Sequence, residues 1–188
     1  MKVNKLTLNA IPERLRQIAA PPAELYSLGA DLKDLLARPA VAIVGSRKVS
    51  TYGKGVTTRL ARELAEQGIV IVSGLALGVD GLAHRAALEA GGLTIAVLPS
   101  PVERIYPSTH RQLAADILSR GGALISEYPA DTETLRHHFI ERNRLVSGLA
   151  DVLLITEAAE ESGTLHTARF ALEQGRDVMA VPGNITSP

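Results

Sequence analysis

GIVIVSGLALGVDGLAHRAALEAGG, residues 68–92, decides the fold. Ile69–Ser73 is a short apolar run rich in Val and Ile. It lacks polar alternation, as a strand covered on both faces does. Gly74 to Gly78 read as a turn with a glycine at each end. Val79, Leu82, Ala83, Ala86 and Ala90 then recur at helical spacing until Gly91 ends the pattern. The same unit recurs outward. Strands are expected at Ala40–Val44, Ile69–Ser73, Thr94–Leu98, Ala123–Ser126, Asp151–Thr156 and Asp177–Val181. Helices are expected over 53–67, 79–90, 108–119, 139–149 and 163–174, with glycine stops at 68, 91, 121 and 175. Such alternation predicts an α/β fold with a doubly wound, mostly parallel sheet.

The segment before residue 40 differs. Ile11–Ala19 has the pattern of a short amphipathic helix, Pro21-Pro22 breaks it, and Leu25–Gly29 reads as a small edge strand. Residues 1–39 are therefore expected as a short lead-in packed on a core domain spanning 40–188. The turn-rich stretch Val181–Pro188 follows a strand without a closing helix, so the domain reads as cut short.

Composition narrows the function. The 188 residues fit one domain of roughly 150 residues with an appendage. Hydrophobic residues are 46% and charged residues 21%, which excludes a disordered chain. No apolar run reaches the ~20 residues of a membrane helix, and Met1–Thr7 lack a signal peptide's apolar stretch. A cytoplasmic protein is expected. Cysteine is absent, excluding disulfides, thiolate catalysis and cysteine-ligated metal. Lys plus Arg and Asp plus Glu are both 20, so binding of nucleic acid by bulk charge is not indicated. The positives are nevertheless clustered. Arg47, Lys48, Lys54, Arg59 and Arg62 lie between Gly45 and Arg62 without an acid. Arg136, His137, His138, Arg142 and Arg144 surround the single Glu141.

Ligands of open α/β sheets bind beyond the carboxyl ends of the strands. Three such ends carry small and hydroxylic residues: Val44–Arg47, Ser73–Asp80 and Glu161–Thr164. Glycine allows close backbone approach, and helix starts attract anions. Each turn alone is explained as an ordinary capped βα turn. Three along one edge point to a phosphate site, with Arg47 supplying charge. There is neither a G-x-G-x-x-G nor a G-x-x-x-x-G-K-[ST] motif.

Asp80 and His84 are neighbours on one helix face. They are either an acid–base or ligand-orienting pair, or an aspartate favoured by the helix dipole with an adjacent histidine. Phe139 among cations suits base stacking, or it is core. Arg142 and Arg144, two apart, point to nearly opposite sides of a helix, so at most one faces a given ligand. His137-His138 has no acid at convincing metal spacing. Leu165, Ala168 and Leu172 share one face and Phe170 lies beside His166, as a buried contact or a partner surface.

These stretches together resemble the DNA-processing protein A family (DprA, also called Smf). The resemblance rests on IPERLRQIAAPPAELYSLG (11–29), VAIVGSRKVSTYG (41–53), IVSGLALGVDGLAHRAAL (71–88), RIYPSTH (104–110), GGALISEYP (121–129), HFIERNRLVSGLAD (138–151) and SGTLHTARFALEQGRDVMAVPGNITSP (162–188). It implies an extended Rossmann-like fold that binds single-stranded DNA, protects incoming DNA in natural transformation and helps load the RecA recombinase. It also implies a homodimer without cofactor or established catalytic centre. By position, Gly45, Ser46 and Arg47 match the family's phosphate-binding turn, and Ser73, Gly74, Gly78 and Asp80 its second turn. Arg136, Phe139, Arg142, Asn143 and Arg144 fall in its basic-aromatic stretch, and Ser162, Gly163 and Thr164 match its third turn. Lys48 and Tyr52 beside the first turn and His84 beside Asp80 complete the expected set. Leu98–Pro101 departs from the glycine-containing turn usual there. The family's N-terminal helical and C-terminal winged-helix domains have no counterpart in this sequence.

Two alternatives use the same turns. One is a sensor that binds a mononucleotide. The other is a nucleotide-cleaving protein similar to the lysine-decarboxylase-like phosphoribohydrolases, whose motif is P-G-G-x-G-T-x-x-E. Here Thr167 stands at the acid position, whereas glycosidic cleavage calls for a carboxylate.

Overall fold

Alternating apolar residues along four successive strands send side chains to both faces of one sheet. Ala40, Ala42 and Val44 enter one core with Val70, Val72, Ile95, Val97, Ala123 and Ile125. Their neighbours Ile43, Ile71, Ala96 and Leu124 enter the layer on the opposite face. The computed structural model describes residues 2–7, 9–159 and 162–183. Its strands are β1 (Asn4–Thr7), β2 (Glu24–Gly29), β3 (Ala40–Gly45), β4 (Val70–Ser73), β5 (Thr94–Val97), β6 (Ala123–Ser126), β7 (Val152–Glu157) and β8 (Asp177–Ala180). Its helices are α1 (Glu13–Arg16), α2 (Leu32–Leu35), α3 (Thr51–Glu66), α4 (Val79–Glu89), α5 (Arg111–Ser119), α6 (Arg136–Leu149) and α7 (Thr164–Glu173), with a 3-10 turn at Ser108–His110.

The eight-stranded sheet has the order β1-β2-β6-β5-β4-β3-β7-β8. All pairs from β6 to β8 are parallel, and β1 and β2 run antiparallel at the other end. Helices α3, α4 and α5 supply buried residues to one face, and α1, α6 and α7 to the other. This is the expected doubly wound, mostly parallel α/β fold. Successive strands β3 to β6 progress in one direction, and β7 then returns to the far side of β3. The connections leaving β3 and β7 therefore diverge, opening a crevice at their carboxyl ends.

Glycines 68, 91, 121 and 175 all have positive φ after helices α3, α4, α5 and α7, as their reading as stops requires. Three expectations are corrected. The helix over 11–19 contracts to the single turn of α1, although Ile11, Leu15 and Ile18 keep their buried face. It starts after Pro12 without a side-chain cap, so few local hydrogen bonds extend it. The strand at 25–29 is not an edge: β2 lies between β6 and β1, and β1, whose residues are mostly exposed, forms the edge. The helix expected over 139–149 begins earlier, at Arg136.

His84 joins α4 to β5 inside the core, which corrects its expected place in the ligand site. Its side chain is fully buried. Thr94 Oγ1 donates to the Ile71 carbonyl at 2.6 Å, so it accepts from His84 Nδ1–H, also at 2.6 Å. Nε2 has no partner. Burial, reinforced by His110, Arg142 and Arg85, lowers the His84 pKa to about 3. An unfolded imidazole titrates near ~6.5, so the fold favours the neutral ring. Its stabilising contribution is complete above that value and is lost as pH falls toward about 3. The slope is at most about 1.4 kcal/mol per pH unit. Urea midpoints measured between about pH 7 and about pH 4 should fall more steeply for the wild type than for His84→Leu. Equal pH responses would remove His84 as the cause.

Candidate nucleic-acid interface

At the crevice between β3 and β7 lies a cleft of about 660 Å³. The first turn contributes Gly45 to Lys48, the second Ala76 and Asp80, and the third Ser162, Gly163 and Thr164. Helix α6 contributes Phe139, Arg142 and Asn143. All three turns singled out in the sequence therefore border one space.

Hydrogen bonds brace the first turn against the other connections. Ser46 N–H donates to the Glu157 carbonyl at 2.7 Å, and Val79 N–H donates to the Ser46 carbonyl at 3.1 Å. A Cβ on Gly45 would lie 2.6 Å from the Glu157 carbonyl oxygen and 2.7 Å from Val79. Glycine is thus required by the close approach. Gly78, at φ +79°, presses against the Ser46 and Arg47 carbonyls, where neither a Cβ nor an L-residue conformation fits. The Ser46 hydroxyl donates to the Lys48 carbonyl at 2.9 Å and accepts from Lys48 N–H at 3.1 Å. It shapes the loop, while Arg47 and Lys48 are exposed.

The second turn is organised by Asp80. Its Oδ2 accepts from the N–H groups of Gly74 at 3.1 Å and Ala76 at 3.3 Å. Between them Leu75 is fully buried at φ +57°, a left-handed conformation that costs a non-glycine residue about 1–2 kcal/mol. Burial raises the Asp80 carboxyl pKa, and the Arg142 guanidinium acts in the opposite direction. With one carboxylate bound to the turn and His84 bonded to Thr94, the acid–base pairing considered for Asp80 and His84 is not formed. Ser73 is also buried, its hydroxyl donating to the Ile43 carbonyl at 2.6 Å, so it braces β4 on β3 away from the cleft surface.

Arg142 comes from α6 and is only 4% exposed. Its Nη1 donates to the carbonyls of Gly74 and Val97, closing the ends of β4 and β5. A Cβ on Gly74 would collide with the guanidinium. Burial lowers the Arg142 pKa to about 10, with Asp80 opposing, so the group is charged at neutral pH. Asn143 donates from Nδ2 to the Gly163 carbonyl at 3.5 Å, joining α6 to the third turn. There the Ser162 hydroxyl donates to Thr164 Oγ1 at 2.9 Å and accepts from Thr164 N–H at 3.2 Å.

Phe139 is half-buried at the cleft mouth, and so it is not a core residue. The Arg47 guanidinium lies 5.5 Å from its ring centroid, within cation–π range. Tyr106 meets Phe139 edge-on at 5.1 Å and is 50% exposed. It belongs to the RIYPSTH stretch, but the sequence assigned it no role. Its exposure beside a second aromatic is a tertiary property. Exposed Leu77 and Ile140 also border this region.

Other expected residues lie elsewhere. Arg144 points to the far side of α6, where it makes a two-point ion pair with Glu127 at 2.5 Å. The two-residue spacing from Arg142 produces this opposition. Arg136 is exposed at the start of α6 and does not line the cleft. The exposed Tyr52 hydroxyl donates to the Pro182 carbonyl at 3.1 Å. Glu141 follows His137-His138 on the same helix. Ligand atoms of His137, His138 and Glu141 lie within 4.8 Å of one another. However, His138 Nδ1 accepts from Leu135 N–H at 3.2 Å, and Glu141 accepts from the Tyr128 hydroxyl at 3.0 Å. Of the α7 face, Leu165 and Leu172 are exposed, while Ala168 packs on the core.

The sheet and its switch-point cleft define an extended Rossmann-like protein. The chain belongs to the DNA recombination-mediator protein A family, whose model matches residues 4–188. It is 50% identical to protein Smf of Escherichia coli over 148 residues, covering 79% of this chain and 40% of that protein. It is 43% identical to DNA processing protein DprA of Bacillus subtilis over 177 residues, covering 94% and 59%. The chain thus spans about half the length of these curated relatives. A structure of DNA processing protein A from Helicobacter pylori, described for its single-stranded DNA binding mode, superposes with a TM-score of 0.86. It has 37% identity, covering 97% of this chain and 82% of that one. The Streptococcus pneumoniae DprA crystal structure superposes at 0.90 with 39% identity, covering 98% and 65%. A molybdenum cofactor carrier protein of Chlamydomonas reinhardtii, at 22% identity and a TM-score of 0.54, shares the fold. No helix among the described residues is long and apolar enough to cross a membrane.

Removing the guanidinium of Arg142 would leave the buried Gly74 and Val97 carbonyls without this donor. Arg142→Met should therefore lower unfolding free energy by about 3 kcal/mol, measured by urea denaturation. A change below about 0.5 kcal/mol would show that the clip does not support the strand ends.

Proposed function

We propose that the cleft binds single-stranded DNA, with backbone phosphate near Arg47, Lys48 and the third turn and a base near Phe139. The observation that carries this reading is the placement of Arg47 against Phe139 at the switch-point crevice, 5.5 Å from the ring centroid. A cation and an aromatic ring at one mouth suit an alternating chain of phosphates and bases. Family membership and the H. pylori relative support the same ligand. Gly45, Ser46, Gly74, Gly78, Asp80, Arg142 and Asn143 then act by shaping the cleft.

On the same family basis we assign the protein a part in DNA processing during natural transformation, guarding incoming DNA and helping load RecA. It would work without catalysis, in the cytoplasm and as a homodimer, with residues 40–188 as the DNA-binding domain and 1–39 as its lead-in. The comparisons do not favour the nucleotide-sensing or nucleotide-cleaving alternatives. Asp80 and Glu157 both accept hydrogen bonds from backbone N–H groups, and Thr167 stands where the phosphoribohydrolase motif has its acid.

Titration into fluorescent oligo-dT and into a duplex of equal length, at low and physiological salt, tests the proposal. Preferential, salt-sensitive binding of the single strand is expected. Arg47→Ala should weaken it and flatten the log–log salt slope by about 0.7, the share of one single-strand phosphate contact. Failure of the wild type to bind the single strand would overturn the function. An unchanged mutant slope would overturn the role of Arg47.

A further inference from the structure

We infer that Glu157 is a positioning residue for the basic loop of the cleft, an inference that rests on the DNA-binding reading only for its functional consequence. A carboxylate beside a site for an anionic strand would ordinarily repel the ligand. Here its hydrogen bonds commit it to the loop.

Glu157 ends β7 and is half-buried. Its backbone carbonyl accepts from Ser46 N–H at 2.7 Å. Its carboxylate accepts from Ser50 N–H, at 3.0 Å to Oε1 and 3.3 Å to Oε2, and from the Ser50 hydroxyl. One residue therefore holds both ends of the segment that carries Arg47 and Lys48. Within it, Ser46 bonds both backbone groups of Lys48, and Val49 packs partly buried against the core. The two exposed cations project between fixed points.

The surroundings are built around this carboxylate. A Cβ on Gly53, in the first turn of α3, would collide with it. That turn contains no acid of its own. A carboxylate supplied from β7 thus occupies a position that the helix dipole favours. Ser50 caps α3 by accepting from Gly53 N–H at 3.0 Å, so the same hydroxyl serves both the helix and Glu157. The buried hydroxyls of Thr57 and Thr156 meet at 2.7 Å and tie α3 to β7 one residue before Glu157.

Two readouts test the inference on the full chain. Hydrogen exchange of the 46–50 segment reports the pinning without DNA. Oligo-dT affinity and its salt slope report the consequence. Glu157→Ala should accelerate exchange in the segment, weaken binding on the order of tenfold and flatten the salt slope, as loss of one to two phosphate contacts would. Glu157→Gln retains an acceptor for Ser50 and should stay within about twofold of wild type. Ser50→Ala, which leaves the carboxylate in place, should show a weaker form of the alanine effect. In an Arg47→Ala, Lys48→Ala background, Glu157→Ala should add nothing, because its effect passes through those residues. Tighter or unchanged DNA binding by Glu157→Ala would overturn the inference, as would unchanged exchange. A wild type that binds no single strand would instead overturn the proposed function, leaving exchange to decide the pinning.

Discussion

A guanidinium almost without water contact closes the carboxyl ends of two central strands. Arg142 donates to Gly74 and Val97, and the turn after Gly74 wraps the Asp80 carboxylate. Burying either charge alone would be unfavourable by several kcal/mol. Each lies in the other's field, and each makes hydrogen bonds to backbone. Both residues line the cleft. Helix α6 also presents Phe139 and Asn143 to the same space. Leu75 is held left-handed, with its side chain in the core, because the carboxylate binds the Gly74 and Ala76 amides.

A net charge of zero conceals how the cations are distributed. The five positives between Gly45 and Arg62 separate once the chain folds. Arg59 pairs with Glu63 at 2.7 Å and Arg62 with Glu89 at 3.3 Å along exposed surfaces of α3 and α4. Such exposed pairs contribute little to stability, but they neutralise those arginines locally. Arg47 and Lys48 border the cleft instead. Local charge is thus set by which arginines meet a glutamate: spacing on one helix predicts the Arg59–Glu63 pair, whereas Arg62 meets Glu89 of α4 and not Glu66, four residues on.

The central sheet was legible because β3 to β6 are covered on both faces, so their apolar runs carry no competing signal. Glycines at helix ends were legible for a local reason, the left-handed turn. Strand β1 was not, because Asn4–Thr7 is mostly exposed and owes its extended form to pairing with β2. In the site, the three turns were visible as glycine and hydroxyl clusters. The division of labour within them was not. Arg142 and Arg47 look equally basic in sequence, yet one is a buried clip and the other is exposed. His84 lies one helical turn beyond Asp80, but the partner that removes it from the cleft, Thr94, comes from the next strand. Tyr106 and Glu157 likewise meet their partners, Phe139 and Ser50, across long stretches of chain.

The bonds from Ser46 to Glu157 and from Val79 to Ser46 have a thermodynamic consequence. They join the connections leaving β3 and β7 to the start of α4, so no one of these turns is free to rearrange by itself. A loop that must be ordered by its ligand subtracts that ordering entropy from affinity. Here folding has already removed most of the freedom. On the proposed reading, a single strand bound there would account for most of the disorder lost on association.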